Sequence, residues 1–166
     1  MHHVLSAVAF FCLLFFFTYS VMATADSNID KLEKVYQKLL PKFKEAVEIR
    51  IDQLSTHEVV FVDVREAEER RVSMIPGAIG VDEFLKASTR YQNAQLVAYC
   101  TIGFRSGKFA IKLRKQGFDV KNLKGGVLAW AHAGKLFKTA TGVETKRVHV
   151  YDDDWDLLPK GYVAVW

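Results

Sequence analysis

The chain has 166 residues, of which half are hydrophobic and a quarter are charged. This composition is typical of a folded globular protein and excludes a disordered or low-complexity chain. The net charge of +4 is weak and scattered, which argues against a nucleic-acid-binding protein and is compatible with a small anionic substrate.

The first 25 residues have the build of a secretory signal peptide. An uninterrupted apolar core covers residues 7–17, and an Ala-Thr-Ala cleavage pattern ends just before Asp26. The segment predicts an exported protein, periplasmic or secreted, that has no stable membrane association once residues 1–25 are removed. An uncleaved anchor over residues 4–22 is the alternative, because this stretch is nearly long enough to cross a bilayer.

Residues 26–46 are predicted to form a helical extension. Apolar side chains recur at helical spacing and lysines occupy the other positions, as in an amphipathic helix that packs on a domain. Pro41 is expected to interrupt this helix because proline has no backbone N–H to donate.

Residues 47–140 alternate between strand and helix patterns, which predicts an α/β domain with a parallel sheet covered on both faces. Asp63 and Arg65 end a buried strand, so their charges must reach the rim of the sheet or pair with each other. Asp82 is expected to cap a helix that runs to about Tyr91. The predicted strands are 48–51, 59–64, 78–81, 96–99 and 119–123, and the predicted helices are 65–71, 82–91, 106–116 and 127–134.

Residues 141–166 are predicted to be a C-terminal extension. The runs 148–151 and 162–166 alternate in polarity and are expected to pair as a small hairpin that docks the tail onto the domain. Four aspartates lie between these runs but lack the spacing and glycine of a calcium-binding loop, which favours a solvated acidic loop. These are Asp152, Asp153, Asp154 and Asp156.

Cys100 is the candidate reactive group of the chain. Cys12 lies in the leader and is removed with it, so Cys100 has no partner for an intramolecular disulfide. Cys100 follows the apolar strand 96–99, and ligands of open α/β sheets bind beyond the carboxyl ends of the strands. A buried, inert cysteine at a strand end is the plain alternative, but an unpaired thiol in an oxidising compartment is a liability that reactivity would explain.

The loop after this cysteine is predicted to hold an anion and a thiolate. Gly103 lets the backbone curl, and a curled loop before a helix directs several N–H groups inward. The same field favours thiolate over thiol, and Arg105 adds a fixed charge with two parallel donors. The predicted substrate-binding loop therefore consists of Thr101, Ile102, Gly103, Phe104 and Arg105.

Four motifs, taken together, resemble the rhodanese family of sulfurtransferases. They are VVFVDVREAEE from residue 59, IPGAI from residue 75, CTIGFRS from residue 100 and GFDVKNLKGGVLAW from residue 117. The resemblance implies a five-stranded parallel sheet with helices on both sides, and a sulfur atom carried as a persulfide on Cys100. The pair Gly125-Gly126 also resembles the turn that closes the domain in this family.

The resemblance implies a transferase of the thiosulfate sulfurtransferase type. A small sulfur-containing anion would donate the sulfur, a thiol, a protein or cyanide would accept it, and neither a metal nor an organic cofactor would be needed. Phosphatases on the same fold use a loop with one more residue than the four between Cys100 and Arg105, which argues against phosphatase or arsenate reductase activity. A sulfur-carrier or protein-binding module without general turnover is the alternative from a different class.

Overall fold

The computed structural model describes residues 27–54 and 59–166. In these residues the helices are α1 (Ser27–Leu39), α2 (Ala67–Val72), α3 (Val81–Lys86), α4 (Phe104–Arg114) and α5 (Gly126–His132). The strands are β1 (Glu48–Ile49), β2 (Val59–Asp63), β3 (Ile79–Gly80), β4 (Gln95–Tyr99), β5 (Val120–Leu123), β6 (Phe137–Lys138), β7 (Glu144–Thr145), β8 (Arg147–His149) and β9 (Val163–Val165).

Five strands form one sheet in the order β1-β5-β4-β2-β3, and every neighbouring pair is parallel. The predicted α/β fold with a five-stranded parallel sheet is confirmed. The central strand β4 is almost completely buried, which is why its sequence is an unbroken apolar run. Its last residue, Tyr99, pairs with Asp63 at the carboxyl edge of the sheet.

Helices cover both faces of this sheet, as predicted. Side chains of β4 alternate between two apolar clusters, because successive residues of a strand point to opposite faces. Leu96 and Ala98 pack with residues of α3 and α4, whereas Val97 and Tyr99 pack with residues of α1 and α5. The carboxyl end of β4 is therefore held rigidly from both sides.

The N-terminal extension packs on the domain through α1. Leu32 and Tyr36 of this helix are buried in the same cluster as Val97. The helix ends at Leu39 and a 3₁₀ turn follows over Leu40–Lys42, so the predicted interruption at Pro41 is confirmed. The predicted signal peptide and the alternative anchor lie outside the described residues, and within those residues no helix is long and apolar enough to span a membrane.

Several sequence predictions about local structure are wrong. Strands β8 and β9 do pair, but they run parallel, so they are not a hairpin. A parallel pair needs a crossover, and residues 150–162 provide it, including a 3₁₀ turn over Asp153–Trp155.

Asp82 is not the cap of α3, because Gly80 occupies that position and the Asp82 carboxylate pairs instead with Arg70. Helix α3 ends at Lys86, and a separate 3₁₀ turn continues to Tyr91.

Candidate active site

Cys100 lies directly after β4, where the central strand leads into α4. Its thiol sulfur accepts a hydrogen bond from the backbone N–H of Gly103 at 3.1 Å and lies 3.5 Å from the hydroxyl oxygen of Ser106. Gly103 has a φ of 108°, a conformation that L side chains rarely adopt, and it is the N-cap of α4. The three residues after Cys100 therefore turn the backbone so that an amide faces the sulfur.

Helix α4 begins two residues earlier than the sequence predicted. It starts at Phe104 rather than at Ser106, because the turn is completed at Gly103. Arg105 therefore belongs to the first turn of the helix and not to the loop. The first N–H groups of a helix have no acceptor within it, so the N-terminal end of α4 presents donors and a partial positive charge beside Cys100.

Helix α5 holds the cysteine loop in place through two backbone hydrogen bonds. The N–H groups of Val127 and Leu128 donate to the carbonyls of Cys100 and Thr101 at 3.0 and 3.3 Å. The glycine that allows this approach is Gly126, where a Cβ atom would lie only 2.1 Å from the Cys100 carbonyl oxygen. The sequence prediction assigned Gly126 only to a closing turn. The signal for the close approach of the two backbones was the pair of consecutive glycines before a helix.

Arg105 is held by a carboxylate that the sequence did not predict. Its guanidinium donates to both oxygens of Glu69 at 2.6 and 2.7 Å and to the hydroxyl of Thr101 at 3.2 Å. Burial alone would raise the pKa of Glu69, but the hydrogen bonds from Arg105 and from the backbone N–H of Glu66, together with the charges of Arg105 and Arg65, hold that pKa below its ordinary value. Burial acts to lower the pKa of Arg105, but its interactions with Glu69 and with Cys100 together raise it, so Arg105 contacts its carboxylate partner and also faces the cysteine.

A buried ion pair supports Glu69 and the end of β2. Arg65 and Asp63 are completely buried, their side chains form a bidentate contact, and Arg65 also donates to the carbonyl of Ser73. The predicted pairing of these two charges is confirmed. Burial acts to lower the pKa of Arg65, but the Asp63 carboxylate outweighs it and the pKa is raised. Arg65 therefore keeps its charge in the interior.

Four of the five predicted loop residues line a cavity of about 300 Å³ that opens on Cys100. Gly103 is the exception, because it faces away from the cavity and toward α1, where a Cβ would lie 3.0 Å from the Tyr36 ring. The cavity is lined by Thr101, Ile102, Phe104 and Arg105, and beyond the loop by Leu39, Lys42, Tyr151 and Trp155. Sequence reasoning missed these last four, since no local pattern shows that the two extensions meet above the cysteine.

Two other features of the described residues do not add to this site. A larger cavity of about 640 Å³ lies between α1 and α5, and it contains neither Cys100 nor any residue of the predicted loop. Among the described residues, no group of His, Cys, Asp or Glu side chains is arranged to hold a metal ion.

The fold and the cysteine loop define a domain of the rhodanese type, and the comparison with known families agrees. The sequence model of the Rhodanese-like domain matches residues 43–133, more than half of the chain. The protein therefore belongs to the rhodanese-like domain family, whose relatives include named sulfurtransferases.

Individual relatives share this domain at modest identity. A protein of Allochromatium vinosum named "Sulfurtransferase" is 36% identical over 83 residues, which cover 48% of this chain and 78% of the relative. The "tRNA uridine(34) hydroxylase" of Enterococcus faecalis is 29% identical over 144 residues, covering 80% of this chain and 42% of the relative. A solved structure of thiosulfate sulfurtransferase from Pseudomonas aeruginosa superimposes with a TM-score of 0.53 and 18% identity, covering 68% of this chain and 23% of that one, and it shows the fold alone.

Proposed function

We propose that the protein is an exported single-domain sulfurtransferase that uses Cys100 as its nucleophile. The sulfur would come from a small anion such as thiosulfate and pass to a thiol or to cyanide. The observation that carries this proposal is the placement of the Cys100 sulfur against the Gly103 N–H, at the N-terminal end of α4 and at the base of an open cavity. The naming of the Allochromatium vinosum relative supports the same class of reaction.

The reaction has two covalent steps. In the first, the Cys100 thiolate attacks the outer sulfur of thiosulfate, the S–S bond of the donor breaks, and sulfite leaves with the bonding electron pair. The product is a Cys100 persulfide that carries one negative charge. The Gly103 N–H and the free amides at the start of α4 are placed to stabilise that charge.

In the second step an acceptor attacks the outer sulfur of the persulfide. A thiolate acceptor leaves as a new persulfide, cyanide leaves as thiocyanate, and the S–S electron pair returns to the sulfur of Cys100. Both steps conserve charge, so no external oxidant or reductant enters. Arg105 contributes through Glu69, because the pair fixes Thr101 and the first turn of α4 around the cysteine.

A short chain of buried polar groups links the Cys100 sulfur through Ser106 to Asn122. The Ser106 hydroxyl lies 3.5 Å from the Cys100 sulfur and 2.7 Å from the Oδ1 atom of Asn122, and both residues are fully buried. Ser106 has one proton, so it cannot donate to both neighbours. The Nδ2 atom of Asn122 is buried with no hydrogen-bond partner. If the amide turns over, Nδ2 donates to Ser106 and the hydroxyl proton becomes free for the thiolate.

The test is transfer from thiosulfate to cyanide by the full chain and by Cys100→Ser. We expect wild-type protein treated with thiosulfate to gain the mass of one sulfur atom on the tryptic peptide 91–105, and the serine variant to lose both the label and the turnover. Turnover near the wild-type rate in Cys100→Ser would refute the proposal. Labelling without turnover would instead favour the second candidate, a sulfur carrier that delivers to one protein partner.

Export is proposed from the composition of residues 1–25. Expressed with its own N-terminus, the protein should be recovered outside the cytoplasm with Asp26 as its first residue. N-terminal sequencing that finds residues 1–25 still attached to membrane-bound protein would favour the anchor over residues 4–22.

A further inference from the structure

Four of the nine residues that line the cavity over Cys100 come from outside the family domain. The Rhodanese-like match ends at residues 43 and 133, whereas Leu39 and Lys42 precede it and Tyr151 and Trp155 follow it. The cavity of about 300 Å³ is therefore a property of this chain's two extensions, added to the cysteine loop that the family supplies.

These walls are fixed in place by the core. Side chains of α1 and of the C-terminal extension are buried in the same apolar cluster as the sheet, among them Leu32, Leu157 and Leu158. The two extensions also contact each other directly, since the side-chain amide of Asn28 donates to the carbonyl of Leu158 at 2.9 Å. The cavity is consequently formed before a substrate arrives, which lowers the ordering cost of binding.

Tyr151 has the strained backbone that often marks a binding residue. Its φ of 83° makes it the one residue other than glycine with a positive φ in the part of the chain that is described. A bulky residue in this region is uncommon, and its backbone is strained. The conformation places the ring, more than half exposed, at the mouth of the cavity, with the Arg105 guanidinium 5.4 Å from its centre.

The lining has a clear chemical character. Its surface is mainly apolar and aromatic, no carboxylate lines it, and its two cationic side chains are Lys42 and Arg105. Two donors of the Arg105 guanidinium contact Glu69, and the Lys42 ammonium lies 5.9 Å from the Phe104 ring centre. A small inorganic anion would use these cationic side chains and the helix amides but would leave the aromatic walls uncovered.

We infer that the cavity selects an organic sulfur donor, an anionic persulfide or thiosulfonate whose body is aromatic or otherwise apolar, in preference to thiosulfate. This inference rests on the proposed function and names its substrate class. The donor's anionic head lies toward Cys100 and α4, and its body lies between Tyr151 and Trp155. With a thiosulfonate, the Cys100 thiolate takes the outer sulfur as a persulfide and a sulfinate leaves with the electron pair, so charge is conserved.

Two donors with the same reacting head test this inference. The kcat/KM of benzenethiosulfonate is compared with that of methanethiosulfonate, and the ratio is measured in each variant, so that the intrinsic reactivities of the two compounds cancel. We expect this ratio to be roughly tenfold lower in Trp155→Ala and in Tyr151→Gly than in the wild type, since each change removes apolar area that would cover the phenyl group. The kcat/KM for thiosulfate should fall by a smaller factor than that for benzenethiosulfonate in both variants, because the smaller anion covers less of these side chains.

Two controls separate binding from folding. Tyr151→Gly relieves the positive φ, so its melting temperature should not fall, and a lost preference cannot then be attributed to unfolding. Trp166→Ala removes an exposed aromatic side chain that does not line the cavity, and its ratio should equal that of the wild type. A ratio that stays at the wild-type value in both Trp155→Ala and Tyr151→Gly would overturn the inference.

A binding readout keeps the inference independent of turnover. If no donor supports sulfur transfer, the proposed function fails, but the cavity is still tested by protection of Cys100 from alkylation. Benzenesulfonate should then protect at a concentration about tenfold lower than methanesulfonate, and Trp155→Ala should remove the difference. Equal protection by the two sulfonates would overturn the inference.

Discussion

Removing the hydroxyl of Ser106 tests how the Cys100 thiolate is stabilised. The hydroxyl lies 3.5 Å from the sulfur and is fully buried, so Ser106→Ala deletes one donor without opening the site to water. A hydrogen bond to a charged group contributes about 1.5–3 kcal/mol, and the long separation indicates the lower end of this range. Since about 1.36 kcal/mol of lost transition-state stabilisation corresponds to a tenfold change in rate, Cys100 should react about tenfold more slowly.

The assay is the rate of alkylation by iodoacetamide at one fixed pH, followed by mass spectrometry of the tryptic peptide 91–105. This peptide contains Cys100 and excludes Cys12, so the full chain is used. The rate of alkylation and the rate of sulfur transfer should each fall about tenfold. The Gly103 N–H is unaffected, so the reactivity should be reduced and not abolished.

The matched control is Ser73→Ala. Ser73 is also fully buried and its hydroxyl donates to the carbonyl of Arg147 at 2.6 Å, so its loss has a similar cost in stability. Its alkylation rate should equal that of the wild type. A lower melting temperature in Ser106→Ala with an unchanged alkylation rate would refute the reasoning, because it would make the hydroxyl purely structural.

Three further predictions concern the groups that hold the loop. Gly126→Ala should abolish most sulfur transfer and destabilise the fold by about 1–3 kcal/mol, because its Cβ would lie 2.1 Å from the Cys100 carbonyl oxygen and the loop must move. Glu69→Gln should lower the free energy of unfolding at pH 7 by about 1.5–3 kcal/mol, since it breaks the charged contacts with Arg105. The pKa of Glu69 is lowered in the folded state, so this stabilisation is present above the ordinary value of 4.5, and the difference from wild type should shrink as the pH falls below it. Arg65→Met should cost about 3–5 kcal/mol in denaturant unfolding, because it leaves a buried carboxylate without its partner.

Each of these changes has a counterpart elsewhere in the chain. Gly134→Ala has a similar positive φ but open space around its Cβ, so it should cost about 1–2 kcal/mol and leave activity intact. Glu68→Gln and Arg71→Met remove the two partners of one exposed ion pair, and each should leave the free energy of unfolding nearly unchanged. Losses at these positions as large as those at the buried ones would contradict the predictions.

The local pattern of the sequence was sufficient for the class of fold and for the place of the cysteine. An apolar run such as β4 is buried on both faces only in a covered parallel sheet, and a glycine after a strand-end cysteine indicates a turn into a helix. Both are properties of neighbouring residues, and both agree with the structure. The start of α4 was misplaced by two residues because Gly103 alone completes the turn, which the composition of the loop does not show.

Tertiary structure alone decided which distant groups surround the cysteine. Glu69, Asn122 and Gly126 lie on separate elements and meet only because parallel strands place their carboxyl ends at one edge. The sequence likewise did not determine whether β9 runs parallel or antiparallel to β8, since alternation in a short strand is the same for both kinds of pairing. The cavity walls are the extreme case: Leu39 and Tyr151 are far apart in the chain, and they share one site because both extensions bury apolar side chains in the same core.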